Sequence, residues 1–177
     1  MKKVLVISGT PRLQGNSEVL CEKFAEGAKE AGNSVEMISL RGKKIGFCTG
    51  CYACQSGKCP FMDDTQAIIE KMLAADVLVL GTPVYFYTMC AQLKALIDRS
   101  VMVFPRIAGK DFYYIMTMAD TDEANFRGTL EALHGFMLCC ENSRECGTIG
   151  AAGVYEKGEI QRHPALRRAY EMGKSIR

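Results

Sequence analysis

The chain has 177 residues, 48% of them hydrophobic and 24% charged, and its formal net charge is +2. This length suits one domain, predicted to span residues 1–177, and so small a charge gives no reason to expect nucleic acid or a membrane surface as a partner. No apolar run approaches the roughly 20 residues of a membrane span. The apolar run near the first residue is shorter than the about 7–15 residues of a secretory signal, so we expect a cytoplasmic protein with reduced thiols.

Strand-like and helix-like segments alternate from end to end. Short runs rich in β-branched residues predict strands at residues 3–8, 34–40, 77–85, 111–118 and 145–154. Apolar residues at helical spacing predict helices at residues 17–32, 63–76, 90–101, 123–140 and 163–176. Asn16 is the expected N-cap of the first helix and Gly32 its stop. The alternation predicts the α/β class, with a doubly wound parallel sheet, helices on both faces and ligands beyond the carboxyl ends of the strands.

The loop after the first predicted strand is rich in anion-binding groups. It reads SGTPRLQGNS and offers hydroxyls at Ser8, Thr10 and Ser17, an amide at Asn16 and a guanidinium at Arg12. The following helix adds free backbone N–H groups at its N-terminus, which favour an anion. The loop lacks the G-K-S/T ending of a triphosphate-binding loop and the G-x-G-x-x-G pattern of dinucleotide sites. It therefore favours a single terminal phosphate, and a polar loop that only caps the helix is the alternative.

The loop after the third predicted strand is aromatic where solvent is expected. It reads GTPVYFYT, which places Val84, Tyr85, Phe86 and Tyr87 at the carboxyl edge of the sheet, and Pro83 holds the backbone extended. An apolar wall beside a phosphate site suits a flat heteroaromatic ligand. The alternative is that these side chains cover the next helix or form a subunit interface, and both interpretations can hold together.

These two loops, with QLKALIDR in the next helix, resemble motifs of the NAD(P)H-dependent FMN reductase family of flavodoxin-like proteins. The family's first motif is a Gly-Ser-Pro-Arg stretch followed by Gly-Asn-Ser or Gly-Asn-Thr, and this chain has Thr10 at the serine position. The second motif is Gly-Ser/Thr-Pro-Val-Tyr. The resemblance covers essentially the whole chain and implies a flavodoxin-like sheet of five strands in the order 2-1-3-4-5.

The resemblance also implies FMN as a cofactor and assigns its contacts by position. The first loop would hold the phosphate, the aromatic loop would line the isoalloxazine, and the loop after the fourth strand would touch the ring. The cofactor-binding residues expected in this way are Ser8, Thr10, Arg12, Asn16, Ser17, Pro83, Val84, Tyr85, Phe86, Thr117, Ala119 and Asp120.

Four of the nine cysteines fall in the stretch CTGCYACQSGKC, within a predicted cysteine-rich loop at residues 47–60. In a reducing compartment such clustering indicates metal ligands or redox groups rather than disulfides. An iron–sulfur cubane can take its thiolates from one tight loop, and this spacing is one residue longer than the run in bacterial ferredoxins. Zinc sites usually use two well-separated C-x2-C pairs. Zinc, a redox dithiol and free thiols remain as alternatives.

Within the family, this motif resembles that of the iron–sulfur flavoproteins. It implies a 4Fe-4S cluster on Cys48, Cys51, Cys54 and Cys59, in an FMN-dependent oxidoreductase that moves electrons between cluster and FMN to reduce a small acceptor. The donor would be NAD(P)H or ferredoxin, the assembly a homodimer or homotetramer, and no side chain is assigned a catalytic role. The alternatives are an NAD(P)H-dependent FMN or quinone reductase without a cluster, a non-enzymatic flavodoxin-type electron carrier, and a zinc-stabilised binding module.

The other five cysteines are expected to be structural rather than metal-binding. Cys21 lies on the apolar side of the first helix, and Cys90 follows the aromatic loop, so both are expected in the core. Cys139, Cys140 and Cys146 are expected to pack near the last strand.

Overall fold

Within the described residues, 1–56 and 59–177 of the computed structural model, one sheet of five long parallel strands and one short antiparallel strand organises the chain. Gly57 and Lys58 of the predicted cysteine-rich loop lie outside the described residues. The strands are β1 (Lys3–Ser8), β2 (Ser34–Ser39), β3 (Val77–Tyr85), β4 (Thr88–Met89), β5 (Asp111–Thr117) and β6 (Arg144–Ala151). The parallel strands follow the order β2-β1-β3-β5-β6, which is the predicted order once β4 is set aside. The doubly wound α/β prediction is confirmed.

Helices cover both faces of this sheet. They are α1 (Asn16–Glu30), α2 (Thr65–Ala74), α3 (Ala91–Arg99), α4 (Arg127–Leu138) and α5 (Ala165–Lys174). Successive side chains of a strand point to opposite faces, so neighbouring residues enter different cores. Val4 and Val79 pack with α1 and α5, whereas Leu5 and Leu80 pack with α2, α3 and α4. Burial on both faces explains why the parallel strands are apolar throughout.

Three predicted details are wrong. The stretch after Tyr85 is not a plain loop, because β4 pairs antiparallel with the end of β3. Helix α1 begins at Asn16 with Gly15 in the cap position, since the Asn16 amide is engaged elsewhere. Cys139 and Cys146 are exposed rather than packed, and only Cys140 of that group is buried. None of the helices in the described part of the chain is both long and apolar enough to cross a membrane.

Candidate functional site

A cleft of about 620 Å³ lies at the carboxyl edge of the sheet. Its volume falls within the range of small-molecule sites, which is about 300–1,000 Å³. It is bounded by the loops that follow β1, β3 and β5 and by residues from the segment after β6. The expected cofactor-binding residues that line it are Thr10, Arg12, Asn16, Ser17, Pro83, Val84, Tyr85, Phe86, Thr117 and Ala119.

The loop after β1 is shaped by two glycines and a left-handed residue. Gly9 donates a 2.8 Å hydrogen bond to the Gly81 carbonyl, and a Cβ at this position would lie 2.9 Å from Cys90 Sγ. Gln14 adopts φ +53, and its N–H donates to the Glu18 carboxylate at 2.6 Å. Gly15 then closes the loop against the Arg12 carbonyl at 3.1 Å. The result is a tight turn that delivers the chain to the N-terminus of α1.

The Ser17 hydroxyl at the start of α1 is an unsatisfied polar group. Ser17 is 1% exposed, lines the cleft, and its Oγ has no hydrogen-bond partner among residues 1–56 and 59–177. Buried hydroxyls are normally paired because an unpaired one costs free energy. The first N–H groups of a helix also lack intrahelical partners and favour anions. An anionic oxygen bound here would therefore satisfy donors that the chain itself leaves open.

Asn16 makes structural contacts in addition to lining the cleft. Its Nδ2 donates to the Glu156 carbonyl at 3.0 Å, and its Oδ1 accepts from the N–H groups of Gly158 and Ile160 at 3.3 and 3.4 Å. The side chain thus holds the segment after β6 against the start of α1. One N–H of its amide is engaged in this way, and Asn16 also lines the cleft, as expected of a cofactor-binding residue.

The segment after β6 forms a wall that sequence reasoning missed. Val154 and Tyr155 line the cleft, and the Tyr155 carbonyl accepts a 2.9 Å hydrogen bond from Arg12 Nη1. The Arg12 guanidinium carbon also lies 5.6 Å from the centre of the Tyr155 ring. Nothing in the local sequence around Tyr155 marks it as a site residue, because only the fold brings it to the first loop.

The aromatic stretch after β3 is a strained hairpin. Phe86 and Tyr87 form its two-residue turn with φ +49 and +62, a left-handed conformation that normally selects asparagine or glycine. Such residues persist only where the surroundings hold them. The Thr82 hydroxyl accepts from the Cys90 N–H at 3.0 Å, and a Cβ on Gly128 of α4 would lie 2.6 Å from the Tyr87 carbonyl oxygen. Both contacts brace a turn that leaves the Phe86 side chain 99% exposed at the rim of the cleft.

Two expected residues are not among those that line the cleft. Ser8 is fully buried at the end of β1, next to the Cys21 thiol. Asp120 shapes its own loop, since its carboxylate accepts from the Asp122 N–H at 2.9 Å and from Asn125 Nδ2 at 2.7 Å. Cys21 and Cys90 are both buried in the core, as expected.

The four clustered cysteines line a second cavity of about 420 Å³. This cavity shares no lining residue with the cleft within the described part of the chain. Its other walls include the apolar side chains of Phe61, Val101 and Met102 and the guanidinium of Arg99. Cysteine thiols are the ligand type that zinc and iron–sulfur clusters use. Among residues 1–56 and 59–177, no three His, Cys, Asp or Glu side chains are close enough to share a metal ion.

One of the four thiols is biased toward its thiolate form. A hydrogen bond from the Ala53 backbone and a second from the Thr49 side chain lower the pKa of Cys51. Ala53 opens a short 3-10 turn, Ala53–Ser56, that carries Cys54. Thiolates are the metal-binding form of cysteine, so this local geometry favours ligation.

A buried ion pair between Arg99 and Asp63 lies beside the cysteine-rich loop at residues 47–60. Arg99 at the end of α3 bonds to Asp63 through two nitrogens, Nη1–Oδ2 at 2.7 Å and Nη2–Oδ1 at 3.3 Å. Although burial raises the pKa of Asp63, hydrogen bonds from Arg99, the Gly46 N–H and Thr65 hold it well below its usual range. Asp63 is therefore a permanent anion opposite a permanent cation.

Comparison with known proteins identifies the family. The family model described as NADPH-dependent FMN reductase matches residues 2–133. An iron-sulfur flavoprotein of Methanocaldococcus jannaschii is 46% identical over 99 residues, which are 55% of this chain and 51% of that protein. An iron-sulfur flavoprotein of Methanosarcina thermophila is 39% identical over 102 residues, 57% of this chain and 53% of that protein.

A solved structure agrees with the fold. The NAD(P)H:quinone oxidoreductase from Methanothermobacter marburgensis superposes with a TM-score of 0.77 at 20% identity and covers 98% of this chain and 94% of that one. The matches to the two iron-sulfur flavoproteins span about half the length of those relatives. The family match, in contrast, extends over most of the chain and includes the three loops of the cleft, which follow β1, β3 and β5. The chain therefore belongs to the NADPH-dependent FMN reductase family, on a flavodoxin-like fold.

Proposed function

We propose that the protein binds FMN in the cleft and is an FMN-dependent oxidoreductase that reduces a small-molecule acceptor. The observation that carries this proposal is the unpaired, buried Ser17 hydroxyl at the N-terminus of α1. It supplies an open donor where a phosphate is stabilised by helix-end N–H groups. The family match and the aromatic hairpin that also lines the cleft support the same ligand.

The residues of the cleft have separate roles in this account. Thr10, Arg12 and Ser17 bind the phosphate, and Asn16 keeps the segment after β6 in place. Pro83, Val84, Tyr85 and Phe86 flank the isoalloxazine, and Thr117 and Ala119 approach it from β5. FMN, when bound, supplies the electron-transfer chemistry, with NAD(P)H as a co-substrate. The protein binds and orients the cofactor and excludes water from part of its ring.

We further propose that Cys48, Cys51, Cys54 and Cys59 hold a 4Fe-4S cluster. The support is the position of all four thiols around one cavity, together with the names of the iron-sulfur flavoprotein relatives. A cluster passes one electron at a time, so ferredoxin joins NAD(P)H as a candidate donor. Zinc at the same thiols is the competing proposal, and metal and sulfide analysis separates the two.

Single-domain organisation, a cytoplasmic location and a homo-oligomeric assembly are also proposed. Both cores are built on the same sheet, which supports a single domain over residues 1–177. The four thiols around one cavity suit metal ligands rather than disulfides, which supports a reducing, cytoplasmic location. Three adjacent aromatic side chains, Tyr85, Phe86 and Tyr87, are exposed on one hairpin, and such a patch supports burial of that rim in a homodimer or homotetramer.

Flavin titration tests the cofactor assignment. Protein freed of flavin is titrated with FMN and with riboflavin, and binding is followed by flavin fluorescence. We expect FMN to bind at least about a hundredfold more tightly, because each charge-assisted phosphate contact contributes roughly 1.5–3 kcal/mol. Equal affinities would contradict the phosphate site. If the protein binds FMN but does not oxidise NAD(P)H with a quinone as acceptor, the proposed oxidoreductase activity is contradicted. The protein would then be a non-enzymatic electron carrier.

A further inference from the structure

Arg99 is the most enclosed charged side chain near the cysteine cavity. It ends helix α3, and its side chain is 2% exposed. The guanidinium is paired in a fork with Asp63, at 2.7 and 3.3 Å. A charge so deeply buried is stable only where it is paired and hydrogen-bonded, so this position has a defined geometry.

The same guanidinium joins the two ends of the segment 46–63, which contains the four clustered cysteines and is called the cysteine loop below. Arg99 Nη1 donates to the Gly46 carbonyl at 2.9 Å, and the Gly46 N–H donates to the Asp63 carboxylate at 2.9 Å. Gly46 precedes the first clustered cysteine and Asp63 follows the last. Asp63 Oδ1 also accepts from the Thr65 N–H at 3.1 Å, which ties this junction to the start of α2. The segment is thus closed at a buried junction. Beside it lies a second tie, in which the Lys44 N–H donates to Asp64 Oδ2 at 2.7 Å and the Asp64 N–H donates to the Lys44 carbonyl at 2.9 Å.

Arg99 also reaches a thiol. Its Nη2 lies 3.4 Å from Cys59 Sγ, and its guanidinium carbon lies 4.8 Å from the centre of the Phe61 ring. Its Nε is buried and has no partner among residues 1–56 and 59–177. The guanidinium therefore keeps one unused donor at the edge of the cavity that Arg99 lines.

Little else orders the loop. Cys48 and Cys51 are exposed, as are Phe47 at 74% and Tyr52 at 73%. The segment has no strand pairing among its described residues, and its one regular piece is the turn Ala53–Ser56. Because few apolar contacts hold it, its order depends on the hydrogen bonds at its ends, and the Arg99–Asp63 junction is the buried set among them.

We propose that Arg99 is a positioning residue for the cysteine loop, which it closes at Gly46 and Asp63 and whose Cys59 thiol it holds in the cavity before any metal group binds. The metal group itself rests on the proposed function, but the closure does not. A cationic donor beside one thiolate also stabilises the more negative, reduced state of a bound cluster. Arg99 therefore sets the reduction potential higher than an apolar side chain would.

Hydrogen–deuterium exchange on the full-length, metal-free protein tests the closure. The variants are Arg99→Met, which removes the charge at similar size, and Arg99→Lys, which keeps the charge but loses the fork. Arg106→Met is the matched control, because Arg106 is exposed and ends the short turn Phe104–Arg106. We expect amides of residues 46–56 and 59–63 to exchange about tenfold faster or more in both Arg99 variants, and unchanged exchange in the control.

Amides of β1 and β3 serve as the internal reference for folding. If Arg99→Met fails to fold, Arg99→Lys and Asp63→Asn decide the question, since each leaves a hydrogen-bonding group in the junction. Loop exchange at the wild-type rate in the folded variants would overturn the proposal.

The reduction potential of the iron-loaded protein is the second readout. Arg99→Met should lower it relative to the wild type and the Arg106→Met control at equal iron content. An unchanged potential would remove the electrostatic role of Arg99. A wild-type protein that takes up no iron would sink the cluster proposal alone, because the exchange measurement on metal-free protein still decides the closure.

Discussion

Arg12 Nη1 donates a 2.9 Å hydrogen bond to the carbonyl oxygen of Tyr155, 143 residues further along the chain. The contact joins the loop after β1 to the segment after β6 and places a cation at the cleft. Arg12→Ala should weaken FMN binding by about tenfold to a hundredfold, because it removes a charge-assisted phosphate contact. Arg41→Ala, which changes an exposed arginine after β2, is the control for net charge. An unaltered dissociation constant for FMN in Arg12→Ala would remove the phosphate assignment.

Ser17→Ala separates ligand binding from the stability of the protein without flavin. In the free protein the change deletes a buried hydroxyl that has no partner among the described residues, so the free energy of unfolding should stay the same or rise. FMN affinity should fall by about threefold to tenfold, since one hydrogen bond contributes roughly 0.5–1.5 kcal/mol. Urea unfolding and flavin titration measure the two effects. A loss of stability in the flavin-free protein with normal FMN affinity would show that Ser17 is structural.

Gly173→Ala tests the close packing of α1 and α5. A Cβ on Gly173 would overlap the carbonyl oxygen of Phe24, so the helices must separate, at a cost of roughly 1–3 kcal/mol. Gly135→Ala in α4 is a matched control, because nothing lies within 4 Å of its added Cβ. There the exposed helix should gain up to about 1 kcal/mol. Chemical unfolding of both variants gives the comparison, and equal stabilities would argue against the packing described.

The ion pairs of Asp111 make the free energy of unfolding depend on pH in the acid range. Burial raises its pKa, but hydrogen bonds from Arg144 and Lys2 outweigh this and lower the pKa of Asp111 to about 2. A lowered carboxyl pKa gives stability that is complete above the unfolded value of about 3.9 and is lost as pH falls toward the folded value.

Asp111→Asn should therefore cost about 1–2 kcal/mol at pH 7, discounted for the exposed Arg144, and progressively less below pH ~4. Urea unfolding of both proteins at several pH values measures this difference. A difference that does not shrink in acid would mean that the carboxylate charge contributes nothing.

The sequence predicts the architecture because the relevant forces are local. Apolar runs such as Lys3–Ser8 bury both faces, and glycine-rich loops end them, so strand positions and the carboxyl-edge site follow. The four clustered cysteines are likewise visible as a group without a structure.

Other features depend on contacts between distant segments. Tyr155 reaches the first loop only through the fold, and Arg99 joins the cysteine loop from the end of a different helix. The hairpin at Phe86 and Tyr87 lacks the asparagine or glycine that usually marks such a turn, because its strain is held by Thr82 and α4. Asn16 resembles a cap by residue type, yet its amide binds the segment after β6.

We propose that one chain holds FMN in the cleft and a 4Fe-4S cluster at the four cysteines. The direct test is the visible spectrum of anaerobically purified protein, with iron, zinc, sulfide and flavin assayed on the same sample. We predict one FMN with about four irons and four sulfides per chain, and a broad shoulder beneath the flavin bands. A clean flavin spectrum without iron, or zinc without sulfide, would contradict the account of the cysteine cavity.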